Sequence, residues 1–485
     1  MPIPVASSNP VVTRSAFLAL ALALLAPGAA LAQIPAPAPA PAGRPPVTLN
    51  LEQALRAALT RAPEVRQAEA EVEGIRGKQL QAKGAGYPQV ELTAVLGPSP
   101  RARGDQVSSP DDKSDLNITG VFVRAGFEII QPIFTWGLLE NARLAADHGV
   151  RATQAGVDVK STEVALKVKQ AYWGLVVAKT LRDFLLDVRQ QVDDTIARTE
   201  RLIEGGFTTE VDVYRLRASK GELAKNLNLI EKTIGLARTA LAAWTGQLPG
   251  VVVEPADAVL PAQLRDLRAL QAFIEDARAR RPEFTQVDQG IKARQNLVEV
   301  ERKRRYPLFF FGIVGSAAYA TNRDRVDNPF IYDPLNDTFA GPVIGFKYNL
   351  DFGIQAGKIK EAEAEVQKLE ALRDVARDGI PLQVQQAYDG VVEARRNVQA
   401  YDEAHRNAKR WLVASSSNFD LGVGEPRDLS DAYIAYAKTR GEHLQALYAY
   451  VFGLEQLAHA AGLDVEEVNR LAPPATRTAE GGKTR

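Results

Sequence analysis

The sequence predicts a mainly α-helical fold, built twice, that carries four β-strands of membrane type, and three observations predict it. Gly137 to Glu204 runs for 68 residues without a proline. As one helix this would extend about 100 Å, far beyond a globular helix, so it must pack along partners. Two pairs of stretches then alternate apolar and polar residues, the pattern of strands with two different faces. Finally, anchors recur at fixed spacing. Pro63 and Pro88 return as Pro282 and Pro307, both displaced by 219 (282 − 63 and 307 − 88), and Gln170-Ala171-Tyr172 returns as Gln386-Ala387-Tyr388, displaced by 216 (386 − 170). Several independent anchors sharing a displacement make internal duplication a strong signal.

Composition narrows the chemistry. Lys plus Arg equal Asp plus Glu at 59 each in 485 residues, so no global charge points to nucleic acid or to an anionic membrane surface. There is no cysteine, which removes disulfides, thiolate metal sites and cysteine nucleophiles together. His148, His405, His443 and His459 are scattered without a ligand spacing, and they read as packed or solvated. No nucleophile and base pairing, phosphate loop or metal cluster is evident, so neither catalysis nor a cofactor is expected.

The N-terminal region carries Arg14, an apolar run from Ala16 to Ala26, and Ala30-Leu31-Ala32 before Gln33. A basic start, a short apolar core and an A-x-A ending describe a secretory signal peptide over 1–32. Residues 33–50 are Pro/Ala-rich and read as an extended tether. The first repeat is expected over 51–248, the connector over 249–262, the second repeat over 263–471 and a polar mobile tail over 472–485. Within the first repeat a helix starts at Leu51, Pro63 breaks it, and a second helix runs to about Gly84. The hairpin over 87–132 follows, with Val90, Leu92, Ala94 and Leu96 on one strand face and Val121, Val123, Ala125, Phe127 and Ile129 on the next. A polar loop is expected between them, from Gly97 to about Ser114. In the long helix, Leu185, Val188, Val192, Ile196 and Thr199 are separated by steps of three and four, as a left-handed supercoil requires. The second hairpin is expected over 306–352, with strands Leu308 to about Tyr319 and Val343 to Phe352. Pro381 stands where the first repeat has Ala165, which predicts a bend or break in the second long helix.

The long helices turn at two tips. Gly205, Gly206 and Phe207 close the first helix, and Leu421, Gly422, Val423 and Gly424 close the second. Gly422 and Gly424 suit the positive φ of a helix stop, and Pro426 suits the first turn of the next helix. Asp428 and Asp431 follow one helical turn apart on one face. Placing Gly206 on Gly422 also places Asp212 on Asp428, a shift of 216 in both cases (422 − 206 and 428 − 212). Asp212 and Asp428 also read simply as acids of a first helical turn, whereas Asp431 lies beyond capping range.

Four two-faced strands have open edges, which a bilayer does not tolerate, and membrane barrels need about eight strands to close. Several chains must then share one barrel if these strands sit in lipid. At this point the residues resemble the outer-membrane efflux protein (TolC) family. The resemblance rests on the doubled order of helix, hairpin, helix, tip and helix, the Q-A-Y triplets, Gln131-Pro132-Ile133-Phe134 and the two tips. It implies a homotrimer whose twelve-stranded barrel, four strands per chain, continues into a periplasmic α-helical coiled-coil tunnel. It also implies a Gram-negative outer membrane location, contact with lipid, and service as the passive exit duct of a tripartite efflux or type I secretion system. The implied partners are a periplasmic adaptor at the tips and an inner-membrane pump of RND, ABC or MFS type. Asp428 and Asp431 stand at the family's paired gate aspartates in G-x(5)-D-x-x-D-A, and Asp212 matches an acid of the first tip. Gly424 stands where the best-known member has a locking arginine, and Phe419 replaces a tyrosine. The competing class is a secreted periplasmic coiled-coil scaffold with a soluble sheet.

Overall fold

The computed structural model describes residues 46–102, 118–206, 209–248, 250–261, 263–325, 330 and 332–468. The expected signal peptide, the tether up to residue 45 and the tail from 472 lie outside them. Nine helices are found among the described residues. α1 (Leu51–Arg61) begins at Asn50, whose Oδ1 accepts from the Gln53 N–H at 2.7 Å while Gln53 Oε1 accepts from the Asn50 N–H at 3.1 Å. That reciprocal cap satisfies two otherwise orphaned donors. Pro63 then opens α2 (Pro63–Gly84), because a first-turn residue has no helical N–H bond to lose. α3 (Leu138–Glu204) and α4 (Glu210–Trp244) form the first long hairpin. α5 (Leu270–Arg280), α6 (Pro282–Lys303), α7 (Ile354–Asp420) and α8 (Pro426–Ala461) repeat this set, and α9 (Val465–Val468) follows. The starts of α5 and α6 lie 219 beyond those of α1 and α2 (270 − 51 and 282 − 63), and those of α7 and α8 lie 216 beyond those of α3 and α4 (354 − 138 and 426 − 210).

The expected stripe Leu185, Val188, Val192, Ile196 and Thr199 is buried throughout. It joins a core to which α1, α4, α5, α7 and α8 also contribute. Of the bend or break expected at Pro381, the break is corrected: α7 runs through it. Ile380 and Val384 flank the proline at 4% and 0% exposure, and burial on this scale offsets the roughly 3 kcal/mol that an interior proline costs.

Six strands are described: β1 (Val47–Leu49), β2 (Gln89–Pro100), β3 (Ile118–Phe134), β4 (Val253–Pro255), β5 (Leu308–Ala320) and β6 (Thr338–Lys347). β1 and β4 pair in parallel, Val47 opposite Val253. The stretches read as tether and irregular connector are therefore tied together. Tyr172, 1% exposed, locks that joint by donating to Asp257 Oδ2 at 2.5 Å with Leu49 O 3.2 Å from the same hydroxyl. The other four strands form an antiparallel sheet in the order β2-β3-β5-β6, so β2 and β6 are its edges within the chain. Two boundaries differ from expectation. β2 continues through Gly97 to Pro100 because β3 still offers partners there, as in Pro98 opposite Val121. β6 starts at Thr338 and stops at Lys347, leaving Tyr348 to Phe352 outside it, because its partner β5 begins only at Leu308.

The register gives this sheet one continuous apolar face. Leu92 lies opposite Phe127, Phe127 opposite Gly315 and Gly315 opposite Ala340. The row through Val90 continues to Ile129, Ile313 and Pro342. Residues two apart share a face, so Leu96, Val123, Phe309, Phe311, Tyr319, Ile344 and Phe346 belong to the same surface. Apart from half-buried Ile129, these large side chains are exposed, Leu92 at 79% and Ile344 at 81%. No helix of the described residues is long and apolar enough to cross a membrane.

Candidate functional site

The two tips form by the same local rule. At the second, the C-cap Leu421 is followed by Gly422 at φ +74°, a left-handed conformation that glycine adopts without steric cost. Gly422 N–H then donates to Phe419 O at 3.0 Å and Val423 N–H donates to Asn418 O at 3.0 Å, the paired bonds of a Schellman stop. At the first, Gly206 takes φ +76° and donates to Ile203 O at 2.9 Å. Phe207 lies outside the described residues. Gly424 departs from the expectation of a positive φ and is required for another reason. A Cβ there would lie 2.8 Å from Phe419 N and 2.9 Å from Asn418 C, so close backbone approach excludes any larger residue. Leu421 and Val423 project from the turn at 76% and 77% exposure.

The three candidate acids separate in environment. Asp428 and Asp212 are first-turn acids of α8 and α4, and neither N-cap residue, Glu425 or Thr209, makes a side-chain cap bond. Their carboxylates therefore meet the positive end of the helix without a capping residue to share it. Asp428 is exposed. Asp431, one turn on, lies 3.9 Å from Arg427 Nε, and Asp212 lies 3.9 Å from Arg215 Nη1. Leu429, Ser430 and Ala432 beside them are 2%, 1% and 0% exposed, so the helix buries one face and presents Asp428 and Asp431 on the other. Asp212 stands on α4 and the pair on α8, and the two helices meet at Ser219 Oγ and Ser430 Oγ, 3.4 Å apart.

What holds the tips together lies elsewhere. Phe419 is buried with Leu412, Leu429 and Ala432, and Leu202 of the first hairpin packs on this cluster. Phenylalanine thus anchors the turn by apolar contact, with no need of a hydroxyl. Across the hairpins, Arg198 Nη1 donates to Asp420 Oδ1 at 2.7 Å. Both side chains are 52% exposed, so the pair contributes at most about 1 kcal/mol. Sequence reasoning missed Arg198, Leu202 and Asp420. Arg198 and Asp420 are separated by 222 residues, a spacing outside the repeat displacements, and no local pattern links them.

The model of the family described as "Outer membrane efflux protein" matches residues 54–247 and 273–463. The chain belongs to the outer membrane efflux protein family. Its two matched segments span both helical sets and both strand pairs, so the duplication is a property of the whole fold. Among relatives, protein CyaE of Bordetella pertussis is 26% identical over 426 residues, covering 83% of this chain and 81% of CyaE. Outer membrane protein TolC of Vibrio cholerae is 25% identical over 401 residues, covering 79% of this chain and 84% of TolC. Among solved structures, the Campylobacter jejuni CmeC outer membrane channel superposes with a TM-score of 0.71 at 14% identity, covering 86% of this chain and 88% of that one. Its likeness is one of fold.

Proposed function

We propose that three copies of this chain assemble into an outer-membrane export duct. The exposed apolar face of the four-stranded sheet carries the reading, because a surface of that size needs either lipid or protein to cover it. The open edges β2 and β6 need partner strands in either case, and three copies supply twelve strands, enough to close. The long hairpins α3–α4 and α7–α8 then continue the barrel as a periplasmic tunnel, and substrates pass through it without chemistry. An inner-membrane pump of RND, ABC or MFS type delivers them through a periplasmic adaptor. The relative named TolC and the channel CmeC support the duct reading.

In this reading the tips form the entrance. Leu421 and Val423, with Gly205, Gly206, Gly422 and Gly424 shaping the turns, offer the adaptor an exposed surface, and Phe207 joins them by its place in the sequence. Asp428 and Asp431 form the gate ring and Asp212 adds charge from the first tip. The test is conductance in planar bilayers. Asp428→Ala with Asp431→Ala should weaken block by divalent cations and raise leak through the entrance. Unchanged conductance and unchanged cation block would remove these residues from the gate. A heat-modifiable trimer that needs detergent separates the duct from a secreted scaffold, which would be soluble.

A further inference from the structure

Two histidines of the second hairpin serve none of the contacts described so far. His405 lies on α7, 15 residues before its end at Asp420, and His443 on α8, 17 residues after its start at Pro426. At 1.5 Å per residue both sit roughly 25 Å behind the tip. Their ring centroids are 6.0 Å apart and the planes are inclined at 62°. His443 is 8% exposed, and Nδ1 of each ring is buried without a hydrogen-bond partner. His405 stacks on Tyr436 at 5.2 Å, and Phe184 of α3 meets Tyr436 edge-on at 5.4 Å. The charged groups acting on the rings are Asp402, Arg406 and Lys409 of α7 and Arg440 of α8. Across α8, α4 contributes Glu222 to a groove that Lys438 and Glu442 also line. Asp402, the carboxylate acting on both rings, is already engaged by Arg406 at 2.6 Å.

We propose that the His405–His443 pair is a proton-sensitive joint, in which uptake of a proton at either ring loosens α7 from α8 at this level and frees the tip beyond it. A buried imidazolium here would face a second imidazole and the Arg440 guanidinium, with Asp402 already paired to Arg406. The same cations, Arg406, Lys409 and Arg440, oppose a metal ion between the rings. Burial first, and then Arg440, hold both imidazoles below their ordinary value of 6.5. The packed arrangement therefore keeps its full stability while both rings are neutral. As pH falls below 6.5 the loosened arrangement takes up a proton that the packed one refuses, and packing weakens until the lower packed-state value is passed. That freeing the tip alters the entrance rests on the duct reading, whereas the loosening itself does not.

Hydrogen exchange of the full-length protein in detergent, corrected for the intrinsic pH dependence of exchange, tests the joint. From about pH 7.5 to about pH 5.5, segments around His405 and His443 should lose about tenfold in protection, while α3 around Tyr172 should not. His405→Phe with His443→Leu should abolish the difference. Arg440→Gln, which leaves both rings in place but removes a cation that holds the packed rings neutral, should make the loss smaller. Equal protection at the two pH values, or a loss retained in the double variant, would overturn the proposal. So would protection raised by zinc chloride at neutral pH in the wild type alone, which would assign the pair to a metal.

Discussion

Leu92→Arg distinguishes a sheet in lipid from a sheet in water. Leu92 is 79% exposed and lies in the row Leu92, Phe127, Gly315 and Ala340. Gly315 is near the centre of β5, which spans Leu308–Ala320, so the row crosses the middle of the apolar band. An arginine on the lipid face at the midplane costs about 2–4 kcal/mol, whereas an exposed substitution in water changes stability by about 0.5 kcal/mol or less. At about 1.36 kcal/mol per tenfold, the lipid case shifts the folding equilibrium roughly 30- to 900-fold per chain. The control is Thr93→Arg, one residue on and therefore on the opposite face. Urea unfolding of protein folded into lipid vesicles, with the heat-modifiable band as the readout, should show a clear loss for Leu92→Arg and little change for Thr93→Arg. Equal midpoints for the two variants would refute the assignment of this face to lipid.

Two further expectations concern the helical part. Gly424→Ala forces a Cβ to within 2.8 Å of Phe419 N, so the turn must open at a cost of about 1–3 kcal/mol. The measurement is exchange at the Gly424 amide, which donates to Asn418 O at 2.9 Å, and unchanged protection there would contradict the close approach. Near the other end, Arg281 Nε donates to Glu283 Oε2 at 3.0 Å while Arg281 Nη1 donates to Gln383 Oε1 at 2.9 Å, tying α6 to α7. Burial is the largest influence and raises the Glu283 carboxyl, but the Arg281 hydrogen bonds, a backbone N–H and the Arg281 charge together outweigh it and leave the carboxyl below its ordinary value of 4.5. Its contribution is therefore complete above that value and lost as pH falls through the lower folded one. The urea midpoint of Glu283→Gln should lie below that of the wild type at neutral pH and converge with it in acid.

How much was legible follows from the range of each interaction. The helix start at Leu51 was readable from its apolar periodicity, and those at Pro63, Pro282 and Pro426 because proline chemistry acts within one turn. The stripe from Leu185 to Thr199 was readable because burial repeats with the helical period. The end of β6 was misplaced because alternation continues to Leu350 whether or not a partner strand is present. β1 and β4 escaped notice because three residues are too few to show a period.

By itself the sequence determined the duplication, the long hairpins, the two-faced strands and the glycine turns, since each depends on residues close in the chain or on a repeat that copies them. Tertiary structure alone decided which apolar faces merge across β2, β3, β5 and β6. It also decided that α7 survives Pro381 and that Arg198 meets Asp420. These depend on register and packing between segments up to more than two hundred residues apart, where local chemistry carries no signal. At the two tips the sequence supplied Asp212, Asp428 and Asp431, and the structure supplied the buried Phe419 cluster that positions the turn preceding the last two.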